Sequence, residues 1–448
     1  MKKKLLIGTT ALIVSLPTFA GDYLTNTNQN AAFLRMVARG ASIDVDGIYS
    51  NPAGLAFLPK DGFYLSLTGQ SAYQTREITA TTKLWTMDKE TSQYFKGTAS
   101  APIIPSFHGL YKRGDWTIST SFAINGGGGK ASFDNGLPMF NALAIAGIYN
   151  DKNLQNIFEK PVTPDMYDIN TAMDGKQYIY GVQLGLTYKI NSWLSAFAGG
   201  RMNYVKSGYE GYLTATVKKG DHAMSGTQLI DLALDCDQSG WGITPIIGLD
   251  AKVGKWNFAA KYEFITNLNI ENKTETLKAP EDAKPSLKPY ADGEQTPHDI
   301  PAFLSVAASY SILPTLRASV EYHFFDDKHA GMLDDRQKHL KHGTHEYLAG
   351  LEWDIDKHLT ISGGFQKTNY GLSDRFQTDT SFYCDSYSIG VGARINLNEA
   401  WSMDAGYFWT KYSDYEKKSE SYNNTGIPGT DLYSRSNKVF GLSLNYRF

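Results

Sequence analysis

Cysteine is nearly absent from this 448-residue chain: Cys236 and Cys384 are the only two, too few for a disulfide framework. Whether they pair is not legible from sequence. Beyond residue 20 no stretch approaches the roughly 18 consecutive apolar residues of a membrane-spanning helix, which excludes a helical membrane protein. A strong charge excess is missing too. The 43 basic and 46 acidic residues leave a net charge of −3, which speaks against a nucleic-acid partner. There is no Gly-x-Ser-x-Gly, no His-Glu-x-x-His and no cluster of Cys and His, so no catalytic residue, metal or cofactor is expected. Gly126 to Lys130 fails as a phosphate loop, because Ile124 stands where its first glycine belongs and Ala131 follows the lysine.

What is present begins with a leader. Lys2, Lys3 and Lys4 precede a short run of apolar and small residues from Leu5 to Leu16, and Pro17-Thr18-Phe19-Ala20 closes it with small residues at a cleavage position. Residues 1–20 therefore read as a secretory signal peptide, with the mature chain starting near Gly21. Losing those three lysines takes the formal charge from −3 to −6. The whole chain is rich in Tyr (28), Phe (22), Trp (8) and Gly (42), yet its mean hydropathy is −0.34. Aromatic and glycine-rich chains of low average hydrophobicity fit a membrane barrel, since half of each strand faces an aqueous lumen.

Period-two alternation carries that reading. Leu316, Ala318, Val320, Tyr322 and Phe324 share one face, with Arg317, Ser319, Glu321 and His323 on the other. Tyr178 to Ile190 repeats the pattern, and the apolar faces begin or end in aromatics as interfacial girdles do. About fourteen strands follow: 62–78, 101–112, 115–125, 177–190, 193–217, 239–253, 256–270, 301–312, 315–326, 343–355, 357–370, 382–396, 399–414 and 437–448. Short links at 113–115, 191–192, 254–255, 313–314, 356 and 398–399 alternate with long ones at 79–100, 126–176, 218–238, 271–300, 327–342, 371–381 and 415–436. Tight periplasmic turns and long external loops produce that alternation. The fold class is thus all-β, an antiparallel transmembrane β-barrel of the outer membrane over 62–448. Residues 21–61 do not alternate and serve as an N-terminal hatch, or plug, inside the lumen.

The last strand presents Phe440, Leu442, Leu444, Tyr446 and Phe448 on one face and ends on Phe448. A terminal aromatic of this kind resembles the signal read by the barrel assembly machinery, an expected partner. Ahead of the first strand stand Arg39-Gly40-Ala41-Ser42, Asp44, Asp46-Gly47-Ile48-Tyr49-Ser50 and then Asn51-Pro52-Ala53-Gly54-Leu55. This arrangement resembles the FadL/TodX family of outer-membrane transporters for long-chain fatty acids and aromatic hydrocarbons. Asn51, Pro52 and Ala53 match its hatch motif. The resemblance implies a monomer that takes hydrophobic small molecules, fatty acids or hydrocarbons, and releases them sideways into membrane lipid, with residues 21–30 reaching into the binding pocket. Gly126, Gly127, Gly128 and Gly129 are then either the strand kink that opens the family's wall or the tip of an outer loop.

An apolar stretch inside the expected outer loop 126–176 is the candidate capture surface: Leu137, Met139, Phe140, Leu143, Ile145 and Ile148. A loop helix packed against the barrel rim is the alternative. For an acidic head group the inward-facing candidates are Arg201, Arg317 and Arg394. A general porin, a structural or adhesive barrel, and a hydrolase using His323, His342 or His345 are the competing functions.

Overall fold

The computed structural model describes residues 26–220, 224–279 and 284–448. The expected leader and Gly21 to Thr25 of the expected hatch lie outside the described residues.

From Gly62 onward the alternating segments form β1 (Gly62–Thr82), β2 (Thr91–Arg113), β3 (Trp116–Phe133), β4 (Tyr167–Lys189), β5 (Leu194–Val217) and β6 (Gln228–Val253). β7 runs as Trp256–Glu263 and resumes as Asn269–Lys278, and β8 (Phe303–Leu313) has a short lead-in at Gln295–Pro297. The circuit continues through β9 (Leu316–Phe325), β10 (Thr344–Asp354), β11 (Leu359–Asn369) and β12 (Ser386–Asn396). It ends with β13 (Trp401–Tyr412, extended by Tyr415–Ser419) and β14 (Gly429–Arg447). All neighbours are antiparallel, and Tyr64 of β1 lies opposite both Leu110 of β2 and Arg447 of β14. The fourteen strands therefore close with no free edge, which is the condition for crossing a bilayer without unpaired backbone groups.

Alternation sorts the wall as its sequence predicts. Leu67, Leu184, Ile243, Val320 and Leu442 point outward, while Ser66, Thr68, Gln70, Thr244 and Ser443 are buried toward the lumen. At the end carrying the short turns, cross-strand aromatic pairs ring the outside: Trp116 with Tyr188 (4.4 Å between ring centroids), Trp256 with Tyr310 (4.5 Å) and Trp401 with Tyr446 (4.3 Å). Such a girdle belongs at a membrane interface, where an amphipathic ring meets both phases.

Several strands are longer than expected, always at the loop end. β4 has 23 residues and β6 has 26, whereas about 9–11 suffice to cross a bilayer. Above the membrane neither face meets lipid, so the alternation fades from the sequence although the ladder continues. β7 differs otherwise: its expected span 256–270 is broken between Glu263 and Asn269. Pro245 of the neighbouring β6 has no N–H to offer there, and its carbonyl accepts the Phe264 N–H (3.0 Å).

Inside the barrel lie α1 (Ala31–Arg35), α2 (Gly47–Ser50) and a 3-10 turn at Pro52–Phe57. Above them the strand extensions enclose α3 (Pro138–Asn150), which is followed by the largely exposed α4 (Lys152–Phe158). Cys236 and Cys384 are both free and buried.

Candidate functional site

A short-helix segment inside a barrel has many carbonyls without an internal partner, and wall side chains supply the donors. Gln183 donates to the Ile48 carbonyl, Lys261 to Tyr49, Thr187 to Pro52 and Ser195 to Ala53, each at 2.7 Å. Asn51 faces two ways. Its Nδ2 donates to Asp250 Oδ2 (2.5 Å), and its Oδ1 accepts the Gly54 N–H (3.2 Å), capping the 3-10 turn that Pro52 opens. Ala53 packs on Phe197 and Ile246. The Asn51-Pro52-Ala53 motif is the weld between hatch and wall on the β4–β6 side.

On the opposite side the weld is ionic. Arg35 meets Glu352 (2.6 Å) and Asp404 (2.7 Å), and Arg39 meets Asp46 (2.8 Å) and Glu352 (3.2 Å). The head-group candidates belong to this same structural layer. Arg394 bridges Asp404 (2.9 Å) and hatch Asp44 (2.5 Å), Arg317 grips Asp354 (2.6 and 2.9 Å), and Arg201 holds Glu263 (2.6 and 3.0 Å) with Tyr49 beneath it. Their guanidinium forks are engaged by wall and hatch carboxylates. Parity revealed that they face inward; it could not reveal the register that sets Asp404 opposite Arg394.

The glycine run lies within β3, eight residues past the expected end of that strand at its furthest point, Phe133. On the β4 side it stays paired with two bulges, at Ile124/Gly126 and Gly127/Gly129. On the β2 side the ladder stops: Ser100 pairs Lys130 and Ser106 pairs Ala123, with nothing matched between. Pro102 and Pro105 explain the β2 lip, since neither donates to a ladder. Gly127 and Gly128 explain the other. Both have positive φ (65° and 111°), and a Cβ on Gly127 would collide with the Gln177 carbonyl. The hatch covers this gap from inside, where the Asn26 N–H donates to the Asn125 carbonyl (2.5 Å) and Asn26 Nδ2 to the Gly127 carbonyl (3.1 Å). Ser106, at the gap's lower margin, donates to the Gln29 carbonyl (2.5 Å).

The apolar loop stretch is not an exposed patch. Leu137, Phe140, Ile145 and Ile148 are buried, while Met139 and Leu143 are half-buried, because α3 plugs the mouth formed by the strand extensions. Asp379 Oδ2 accepts the Met139 N–H at the start of α3 (2.8 Å), and Tyr433 donates to Asp379 Oδ1 (2.9 Å). Beside Phe140 lies a nearly all-apolar cavity of about 70 Å³ walled by Met173, Tyr209, Leu232, Leu277 and Leu287.

Of the histidines, His323 is buried between Glu321 (2.6 Å) and Glu346 (2.9 Å), and His345 bonds the Tyr322 phenol (2.7 Å). Two inward residues escaped the sequence reading: Arg76 of β1 and Arg435 of β14, which are register partners. Arg76 has the parity of Ser66 and Gln70, a signal that was available. Arg435 precedes the expected start of the last strand at 437 and gave none.

The chain is similar to three solved channels. A FadL homologue of Pseudomonas aeruginosa matches at 13% identity and TM-score 0.64, over 98% of this chain and 100% of that one. The CymD monoaromatic hydrocarbon channel matches at 11% and 0.52, over 95% and 99%. The toluene transporter TodX of P. putida matches at 11% and 0.51, over 90% and 94%. No protein-family model and no curated protein matches the sequence. The chain thus has the FadL-type fold, a closed fourteen-stranded antiparallel barrel.

Proposed function

We propose that this protein carries hydrophobic molecules, long-chain fatty acids foremost, through the outer membrane by capture in the loop cap, passage into the lumen above the hatch, and sideways exit into lipid. The interrupted β2–β3 ladder carries this reading. A hole through the wall lets an apolar ligand leave without crossing water, and each methylene kept dry is worth about 0.8 kcal/mol. Its lips are apolar or featureless, with Ala101, Ile103 and Ile104 on β2 and the glycines on β3. The hatch residue Asn26, bonded to the glycine strand, links the gate to the lumen contents. The ion-paired hatch makes the barrel a poor open porin.

A Cβ built on Gly129 falls 3.3 Å from Ala101 Cβ, close to the spacing of about 3.5–4.5 Å that a disulfide spans, and 2.8 Å from the Ser100 carbonyl oxygen, so the β2 backbone must shift to admit it. Ala101→Cys with Gly129→Cys, in a background lacking Cys236 and Cys384, should seal the gap on oxidation. Labelled oleate uptake by a deletion strain carrying this variant is expected to stop when oxidised and return on reduction. Undiminished uptake by the oxidised, cross-linked protein would overturn lateral exit.

A further inference from the structure

At the end of the barrel that carries the long loops, the outward face of β9 to β14 stops being apolar. Register sets Tyr322 of β9, Tyr347 of β10, Lys367 of β11, Tyr387 of β12 and Lys411 of β13 side by side in one row. Lys438 of β14 stands opposite Trp409 of β13 on one side and Tyr73 of β1 on the other. All three lysines are exposed on the outside of the wall, since their strand neighbours Gln366, Thr410 and Asn437 are buried toward the lumen. Neighbouring strands are about 4.8 Å apart, so the Lys367 and Lys411 Cα atoms are separated by about 10 Å, and Lys438 lies about 8 Å from Lys411 on the diagonal.

Among the described residues none of these three lysines meets a carboxylate. Other exposed lysines on the outer surface do: Lys96 pairs with Glu77 (3.5 Å), Lys130 with Asp174 (2.7 Å) and Lys176 with Asp237 (2.8 Å). At separations near the Debye length of about 8 Å, uncompensated ammonium groups still repel one another, which an anion among them relieves. Their height is informative as well. Trp401, in the girdle at the short-turn end, lies on β13 ten residues below Lys411. With a rise of about 3.3 Å per residue and a strand tilt of about 40°, Lys411 stands about 25 Å above it, the height of the apolar band in such barrels. Exposed Phe365, Ile389, Val391, Phe440 and Leu442 fill the face between. The lysines thus hold their charges where lipid head groups begin, directly above a surface that accepts acyl chains.

We propose that Lys367, Lys411 and Lys438, with Tyr387, Trp409 and Tyr73 between them, form an outward-facing site for a bisphosphorylated saccharide lipid of the outer leaflet. A head with one phosphate meets one or two of these lysines; a broad head that holds two phosphates apart meets all three, and its several chains lie on the apolar face beneath. Lysine donors to phosphate oxygens are charge-assisted, and the rings supply the amphipathic surface suited to the head-group level. The site lies outside the wall and takes no part in the transport path. It rests on the transport reading only in placing the long-loop end at the outer leaflet.

The test titrates purified full-length mature protein, stripped of lipid in detergent, with bisphosphorylated lipid A, monophosphorylated lipid A and phosphatidylglycerol, with inorganic phosphate as competitor and bound lipid counted by native mass spectrometry. Wild type should hold bisphosphorylated lipid A about tenfold or more tightly than phosphatidylglycerol, with the monophosphorylated form between, and inorganic phosphate should not displace it. Each lysine beside an anionic head is worth about a fivefold change, so Lys367→Gln, Lys411→Gln and Lys438→Gln together should weaken bisphosphorylated lipid A about a hundredfold and phosphatidylglycerol less than about threefold. Lys206→Gln, at an exposed lysine opposite Tyr178 on β5, should leave lipid A binding unchanged. Thermal melting followed by circular dichroism reports that the variants are folded. Binding undiminished in the triple variant, or weakened as much by Lys206→Gln, overturns the site. Equal weakening of lipid A and phosphatidylglycerol, or displacement by inorganic phosphate, overturns its assignment to a two-phosphate lipid. All of these results leave the transport reading standing, whereas recovery of the protein in the inner-membrane fraction of cells overturns both.

Discussion

Buried polar side chains in this lumen act through what faces them. Asn51 is the sharpest case, because one amide both caps a hatch turn and anchors it to Asp250. Asn51→Ala removes both bonds and leaves Asp250 to Asn257 alone (2.8 Å). The expected cost is about 1–3 kcal/mol, concentrated in the hatch. Hydrogen exchange should show residues 47–57 losing protection by that amount, with the strands unchanged; uniform loss over the barrel would contradict a local anchor. The lower arginines illustrate the same rule. Arg201, Arg317 and Arg394 were recognisable as inward from parity alone, but their carboxylate partners lie up to 350 residues away, as between Arg394 and Asp44.

At the scale of elements, the cap is held by groups whose charge burial disfavors. Asp379, at the start of α3, has its carboxyl pushed up by burial, partly offset by Lys417 and by bonds from Tyr433 and Met139. A carboxyl raised in the folded state contributes stability that is full at low pH and fades as pH rises through its folded value. His298, in the segment leading to β8 and bonded to Gln177 (3.0 Å), has the opposite slope, since burial pushes its imidazole down to about 4. Its contribution is present above the ordinary value near 6.5 and is lost as pH falls from there through about 4. Acidification should therefore raise exchange protection in α3 and lower it around residues 295–300. Parallel changes in both segments would refute this division. The strands themselves were legible wherever lipid and lumen impose alternation. α3 read as an apolar stretch, yet only its enclosure by the strand extensions made it core.

For the whole molecule, the hatch is fixed on one side largely by neutral donors to carbonyls, Lys261 being the charged exception, and on the other by ion pairs. Removing Arg35 strands Glu352 and Asp404 in part, although Arg39 and Arg394 still reach them. Breaking a buried pair of this kind costs about 3–5 kcal/mol. In planar bilayers the wild type should show no sustained large openings, while Arg35→Met should open intermittently; a silent Arg35→Met would mean that the neutral side alone holds the hatch.

Sequence by itself determined that this chain is a closed barrel with a non-alternating segment ahead of its first strand. The reason is that lipid outside and polar lumen inside write a period of two into every wall strand. Parity, however, assigns a face and nothing more. It does not give height along the axis, the residue across the lumen, or the place where a ladder stops. Tertiary structure alone decided that the glycine run lies inside the wall opposite two prolines, that Arg394 ties the hatch to the wall, and that Arg76 and Arg435 face each other on adjacent strands. Those outcomes depend on contacts between residues far apart in the chain, set by register and closure.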